Sequence, residues 1–94
     1  MKHYIIVKWN DTIPSKEEMY LKVQEAFKDV VKIDGVEKFE IYKSNSDKEN
    51  RYDVMIEITC SKEGLQNYDV SKLHQDWKDN YSRYIKTKAI FDHD

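Results

Sequence analysis

Tyr68 and His74 stand six residues apart, with Ser71 between them. Histidine trades a proton near neutral pH, and a phenol hydrogen-bonds an oxygen. Held side by side, the two make a minimal acid–base pair that needs no cofactor. On one continuous helix a six-residue step turns the side chains roughly 240° apart, which would separate them. Ser71 is a residue type that caps a new helix. A bend there would return Tyr68 and His74 toward one cavity, with His74 as general base and Tyr68 holding a developing oxyanion.

A third polar residue belongs with them. His3 lies in an otherwise apolar alternation, where a buried imidazole is costly unless it is bonded. It has either a structural partner or a place in a polar pocket with His74. Ile5, Trp77 and Tyr81 are the apolar and aromatic residues expected to wall that pocket beside His3, and Trp9 and Phe91 could join them. The alternative for all of these aromatics is simple core packing. Likewise His74 could be a core-edge histidine bonded to a carbonyl, and Tyr68 a cover for a helix–sheet seam.

Other chemistry finds little support. The three histidines, His3, His74 and His93, share no ligand spacing with one another or with Cys60, so no metal is expected. The run Asp92-His93-Asp94 reads as a frayed end. Cys60 has no basic neighbour in sequence to lower its pKa, and an inert buried thiol is the expectation. Glycine-rich phosphate loops, nucleophile elbows and paired carboxylates are absent. No cofactor is implied.

The elements that would position these residues follow from periodicity. Lys2–Trp9 reads as a strand with His3, Ile5, Val7 and Trp9 on one face. Ser15 and Glu18 have capping-box spacing after Pro14, and the helix they start is expected to run to about Ile33 with a stripe of Tyr20, Val23, Phe27 and Val30. Gly35 marks its end. Strands are expected at Val36–Lys43, Tyr52–Cys60 and Thr87–Phe91. Between the last two, helical segments cover about Ser61–Tyr84 and break near Val70. The second of these would align His74, Trp77, Tyr81 and Ile85. The polar stretch Ser44–Asn50 reads as a solvated loop.

This βαββαβ order, with a split second helix, fits one α+β domain over residues 1–94: a ferredoxin-like, four-stranded antiparallel sheet with helices on one face. Strand alternation places Tyr4 and Ile6, with Phe39 and Ile41, on the face that the helices leave open. Such a patch is large for a monomer, so a homodimer packed sheet to sheet is expected. The 16 Lys and Arg against 18 Asp and Glu give a net charge of -2, which provides no attraction to nucleic acid or to an anionic membrane. The single cysteine fits a reducing compartment, and the apolar run near Met1 is too short for a signal peptide or a membrane span. A cytoplasmic location is the expectation.

Four segments together carry a family resemblance: the opening Lys2-His3-Tyr4-Ile5-Ile6-Val7-Lys8-Trp9, the turn Ile33-Asp34-Gly35-Val36, the Tyr68-to-His74 stretch, and the closing Ala89-Ile90-Phe91-Asp92. In this order and spacing the chain resembles the stress-responsive dimeric α/β-barrel (Dabb) family over nearly its whole length. The resemblance implies a homodimer whose two sheets close into a barrel with helices outside. Many members have no known activity. The plant polyketide cyclase olivetolic acid cyclase belongs to that family and works without cofactor or metal. Its catalytic tyrosine and histidine fall by spacing on Tyr68 and His74, and a first-strand histidine falls on His3. The chain departs from the pattern with Ser71-Lys72 where the family often carries His-Pro, and with Val54 where the cyclase has a further histidine.

What the resemblance and the residues together imply is a dimer that binds a small apolar or aromatic molecule, with acid–base chemistry of the polyketide-cyclase type open to it. Two alternatives stand beside this: a non-catalytic stress-related dimer whose cavity is filled by its own side chains, and a cofactor-free monooxygenase on the same fold.

Overall fold

A computed structural model describes all residues, 1–94. Its elements are β1 (Lys2–Trp9), α1 (Lys16–Phe27), β2 (Val36–Lys43), β3 (Val54–Cys60), α2 (Lys62–Asp69), α3 (Lys72–Tyr81) and β4 (Ile85–His93). Short 3-10 turns sit at Val30–Lys32 and Ser82–Tyr84. The strands form one antiparallel sheet in the order β2-β3-β1-β4. This is the ferredoxin-like α+β arrangement, with all helices against one face.

Alternation builds the inner face of the two central strands. His3, Ile5, Val7 and Trp9 of β1 are buried, as are Val54, Ile56, Ile58 and Cys60 of β3. Met19, Val23 and Phe27 of α1, Tyr68 of α2 and Trp77 of α3 close the core from the other side. The Ser15 hydroxyl accepts the Glu18 backbone N–H at 3.0 Å, so α1 begins where the capping spacing places it.

Several boundaries differ from expectation. Helix α1 ends at Phe27, not near Ile33, and a 3-10 turn carries Val30 into the core. The β-branched pair Val30-Val31 loses side-chain freedom in an α-helix, which favours a break there. Ile85 opens β4 and does not extend α3. Strand β4 also runs on to His93, so the Asp92-His93 segment is paired with Lys2 and His3 of β1, not frayed.

One strand face also differs. A bulge lies between Val36 and Lys38 of β2. An extra residue in a strand shifts every later side chain to the other face. Phe39 and Ile41 therefore sit opposite Ile58 and Ile56 on the helix side. The Phe39 ring stacks on Phe27 at 5.8 Å. The open face instead holds Tyr4, Ile6, Met55, Tyr42, Ala89 and Phe91, as their cross-strand pairing requires. Phe91 is 59% exposed on it, and so does not wall an inner pocket.

The start of α2 is pinned by backbone contact. Gly35 has φ 88°, the left-handed conformation that glycine alone adopts cheaply. Its carbonyl accepts the Ser61 N–H at 3.0 Å. A Cβ added to Gly64 would stand 2.2 Å from that same oxygen. Two glycines thus let the helix approach the turn before β2 and fix where Tyr68, four residues on, enters the core.

Candidate functional site

The helical break falls at Val70, and Ser71 makes both sides of it. Its hydroxyl donates to the Tyr68 carbonyl at 2.6 Å and accepts the His74 backbone N–H at 3.1 Å. One serine therefore stops α2 and starts α3, satisfying orphan groups at both helix ends. The bend brings the Tyr68 and His74 rings to 4.7 Å between centroids. The His3 ring lies 5.8 Å from Tyr68 on its other contact. Tyr68, His74 and His3 are the three residues that sequence placed together, and they meet.

Each imidazole is anchored through Nδ1. His74 Nδ1 lies 2.9 Å from the Asp69 carbonyl oxygen. A carbonyl only accepts, so Nδ1 carries the hydrogen, and Nε2 of the neutral ring keeps its lone pair. His3 Nδ1 lies 2.5 Å from Asp92 Oδ1, which assigns the same tautomer when the carboxylate is ionised. His3 is 7% exposed, while His74 is half-buried.

Tyr68 differs from both. It is 1% exposed, and its hydroxyl has no hydrogen-bond partner in the chain. Burial pushes the phenol well above its ordinary range, and the neighbouring Asp69 charge adds to the shift. Burial disfavours the phenolate because the charge loses its water. The group is thus a neutral O–H donor in a dry setting. A buried donor left unpaired costs about 1–3 kcal/mol, which makes this hydroxyl the least satisfied polar group of the three-ring cluster.

The other residues assigned to a pocket stand elsewhere. Ile5 is core, paired across the sheet with Ile56 and Ile90. Trp77 and Tyr81 stack at 5.1 Å and lie on the far side of Phe27, whose ring is 6.4 Å from Tyr68 and 5.2 Å from Trp77. They line a cleft of about 400 Å³ between α1 and α3, together with Ala26 and Leu73. A second cleft, of about 380 Å³, is walled by Leu65, Gln66, Asp69, Asp92 and His93. It touches the anchors of both histidines. Neither cleft is lined by Tyr68, His3 or His74.

Two acidic residues escaped the sequence reading. Asp92 could have been found from register, since an antiparallel β1–β4 pair sets it directly across from His3. Asp53 is 4% exposed; it accepts the Trp9 N–H at 2.9 Å and pairs with Lys16 at 3.1 Å. Nothing in its local sequence marks it as buried. Cys60 is buried, and desolvation pushes its thiol up, as expected of an inert cysteine. No helix is long and apolar enough to cross a membrane.

Comparison with solved structures gives the same fold repeatedly. The chain superposes on a crystal structure of an Arabidopsis thaliana protein with a TM-score of 0.80 at 20% identity, covering 99% of this chain and 92% of that one. It matches a dimeric ferredoxin-like protein of unknown function from Thermobifida fusca with a TM-score of 0.76 at 15% identity, covering 96% and 85%. A hydroxynitrile lyase from Passiflora edulis matches with a TM-score of 0.75 at 9% identity, covering 96% and 87%. At these identities the likeness is one of fold. No curated protein matches the sequence. The model of the stress responsive A/B barrel domain matches residues 1–94, the span that holds the strand order, the two-glycine turn and the Tyr68–His74 bend, and the chain belongs to that family.

Proposed function

We propose that this protein acts as a homodimer that binds a small apolar or aromatic carbonyl compound at the Tyr68 cluster and moves a proton on it without cofactor or metal. The observation that carries the reading is the buried Tyr68 hydroxyl with no acceptor. A ligand oxygen would supply the missing partner. His74 Nε2 would remove a proton from the carbon next to the carbonyl. The bond's electron pair would pass toward the oxygen, and the Tyr68 O–H would stabilise the enolate by a hydrogen bond in a low-dielectric site. Phe27, whose ring lies 6.4 Å from that of Tyr68, would contribute an apolar wall.

Dimer formation is supported by the open sheet face, which presents Tyr4, Ile6, Met55 and Phe91, and by the dimeric state of the Thermobifida fusca protein. An enzyme on this fold exists in the Passiflora edulis hydroxynitrile lyase.

A second reading is a non-catalytic dimer whose interior is filled by its own side chains. It draws on the packing of His3 and His74 against Tyr68, with none of the three lining either cleft.

Benzoylacetone separates the two. Its enol and keto forms absorb differently, so ketonisation after dilution from organic solvent into water can be followed directly. The first reading expects the protein to speed ketonisation, with the effect lost in Tyr68→Phe and His74→Gln. A wild-type rate equal to buffer, with no benzoylacetone-dependent change in the His74 NMR signals, would leave the non-catalytic dimer.

A further inference from the structure

His3 and Asp92 are direct cross-strand partners in the β1–β4 pair. The two side chains meet at 2.5 Å through His3 Nδ1, with the His3 side chain 8% exposed and that of Asp92 40% exposed. This is a buried imidazole tied to a carboxylate that still reaches water, because Asp92 also walls the cleft of about 380 Å³. His74 is anchored differently, by the neutral Asp69 carbonyl. Both rings lean on Tyr68, yet only one has a full negative charge behind it. A carboxylate offsets the charge of an imidazole that takes a second proton, as well as fixing its tautomer and orientation.

We propose that Asp92 is a positioning residue that holds His3 as a second acid–base group beside Tyr68, exchanging a proton with the oxygen of the bound carbonyl compound while His74 works at the carbon. The proposal rests on the carbonyl-binding reading above and assigns it a second proton route. In enolisation the C–H bond breaks and His74 Nε2 takes that proton. The freed electron pair forms the carbon–carbon double bond, and the carbonyl π pair moves onto oxygen. His3, protonated at Nε2, gives the oxygen its proton. His74 leaves the step charged and His3 neutral, so net charge is unchanged, and ketonisation runs the same transfers in reverse. Protons then re-equilibrate with water at half-buried His74 and through the cleft that Asp92 faces. Asp92 touches neither reacting atom.

The test has a ligand-free arm and a kinetic arm. Long-range 1H–15N spectra of the intact protein should give His3 hydrogen on Nδ1 in the wild type. In Asp92→Asn the amide can donate to that nitrogen, so His3 should lose this fixed tautomer while the His74 signals stay in place. Benzoylacetone ketonisation should slow roughly 10²-fold in Asp92→Asn through kcat, with KM nearly unchanged. His3→Gln should slow it as much, and adding Asp92→Asn to His3→Gln should slow it no further, because Asp92 acts only through His3. An unchanged His3 tautomer, or equal slowing by Asp92→Asn with and without His3, overturns the proposal. Should the wild type fail to speed ketonisation while the tautomer change occurs as expected, the carbonyl-binding reading falls and takes the proton role of His3 with it, and the anchoring by Asp92 stands.

Discussion

The ring of Tyr68 lies 4.7 Å from that of His74 because Ser71, between them, bonds to the backbone of both. The contact is therefore a product of local capping and does not depend on distant packing. Removing the Ser71 hydroxyl strips an acceptor from the α3 N-terminus and a donor from the α2 C-terminus. Ser71→Ala should cost about 0.5–2 kcal/mol in chemical denaturation and broaden the His74 ring signals. Ser15→Ala, at the start of α1, should cost a similar amount while leaving His74 unchanged. Equal His74 spectra in both variants would detach the bend from Ser71.

Tyr68→Phe removes a hydroxyl that has no partner. Deleting an unsatisfied buried group relieves its desolvation cost, so the variant should match or exceed wild-type stability. A loss beyond about 1 kcal/mol in urea denaturation would mean that the hydroxyl is bonded in solution.

Alkaline pH should reveal the same group. The folded phenol is held above its unfolded value of about 10, so the unfolded state releases its proton first as pH rises. The Tyr68 contribution to stability is complete below pH ~10 and is lost progressively above it. Stability measured upward from neutral pH should therefore fall less steeply beyond pH ~10 in Tyr68→Phe than in the wild type. Parallel curves would show that Tyr68 ionises as freely folded as unfolded.

At the turn before β2, Gly64→Ala would place a methyl group 2.2 Å from the Gly35 oxygen, with backbone on both sides and no flexible side chain to yield. The expected loss is about 1–3 kcal/mol. Because Ser71 joins α2 to α3 locally, the 4.7 Å ring contact should persist while Tyr68 shifts in the core. An unchanged melting temperature would show that the helix rides outward at no cost.

For the dimer, light scattering at micromolar concentration should give twice the 11.4 kDa chain mass. Ile6→Lys and Phe91→Lys, on the open sheet face, should yield folded monomers, since each would bury an unpaired charge between sheets. Phe39→Lys should instead destabilise the fold itself, because its half-buried ring stacks on Phe27 and packs against the core from the helix side of the sheet. A wild-type monomer, or a Phe39 variant that folds as a monomer, would remove the open face as the contact surface.

Sequence by itself determined the element order, the starts of α1 and α3, and the meeting of Tyr68 with His74. These rest on local rules: strand alternation, and a serine three residues ahead of the N–H that it caps. Such signals span a few residues and survive without any knowledge of the rest of the chain. The inward face of His3 was legible for the same reason, since alternation along β1 is unbroken from Lys2 to Trp9.

Only the tertiary structure decided the rest. Phe39 and Ile41 changed sides because one bulged residue near Val36 reverses parity, and a bulge arises from pairing with β3, which periodicity within β2 does not encode. The partner of His3 lies 89 positions away and was set by the register of β4 on β1. Trp77 and Tyr81 share a helix with His74, yet Phe27, brought in by α1, stands between Trp77 and Tyr68. Face, register and neighbour across an interface are properties of two elements together, and no single stretch of sequence contains them.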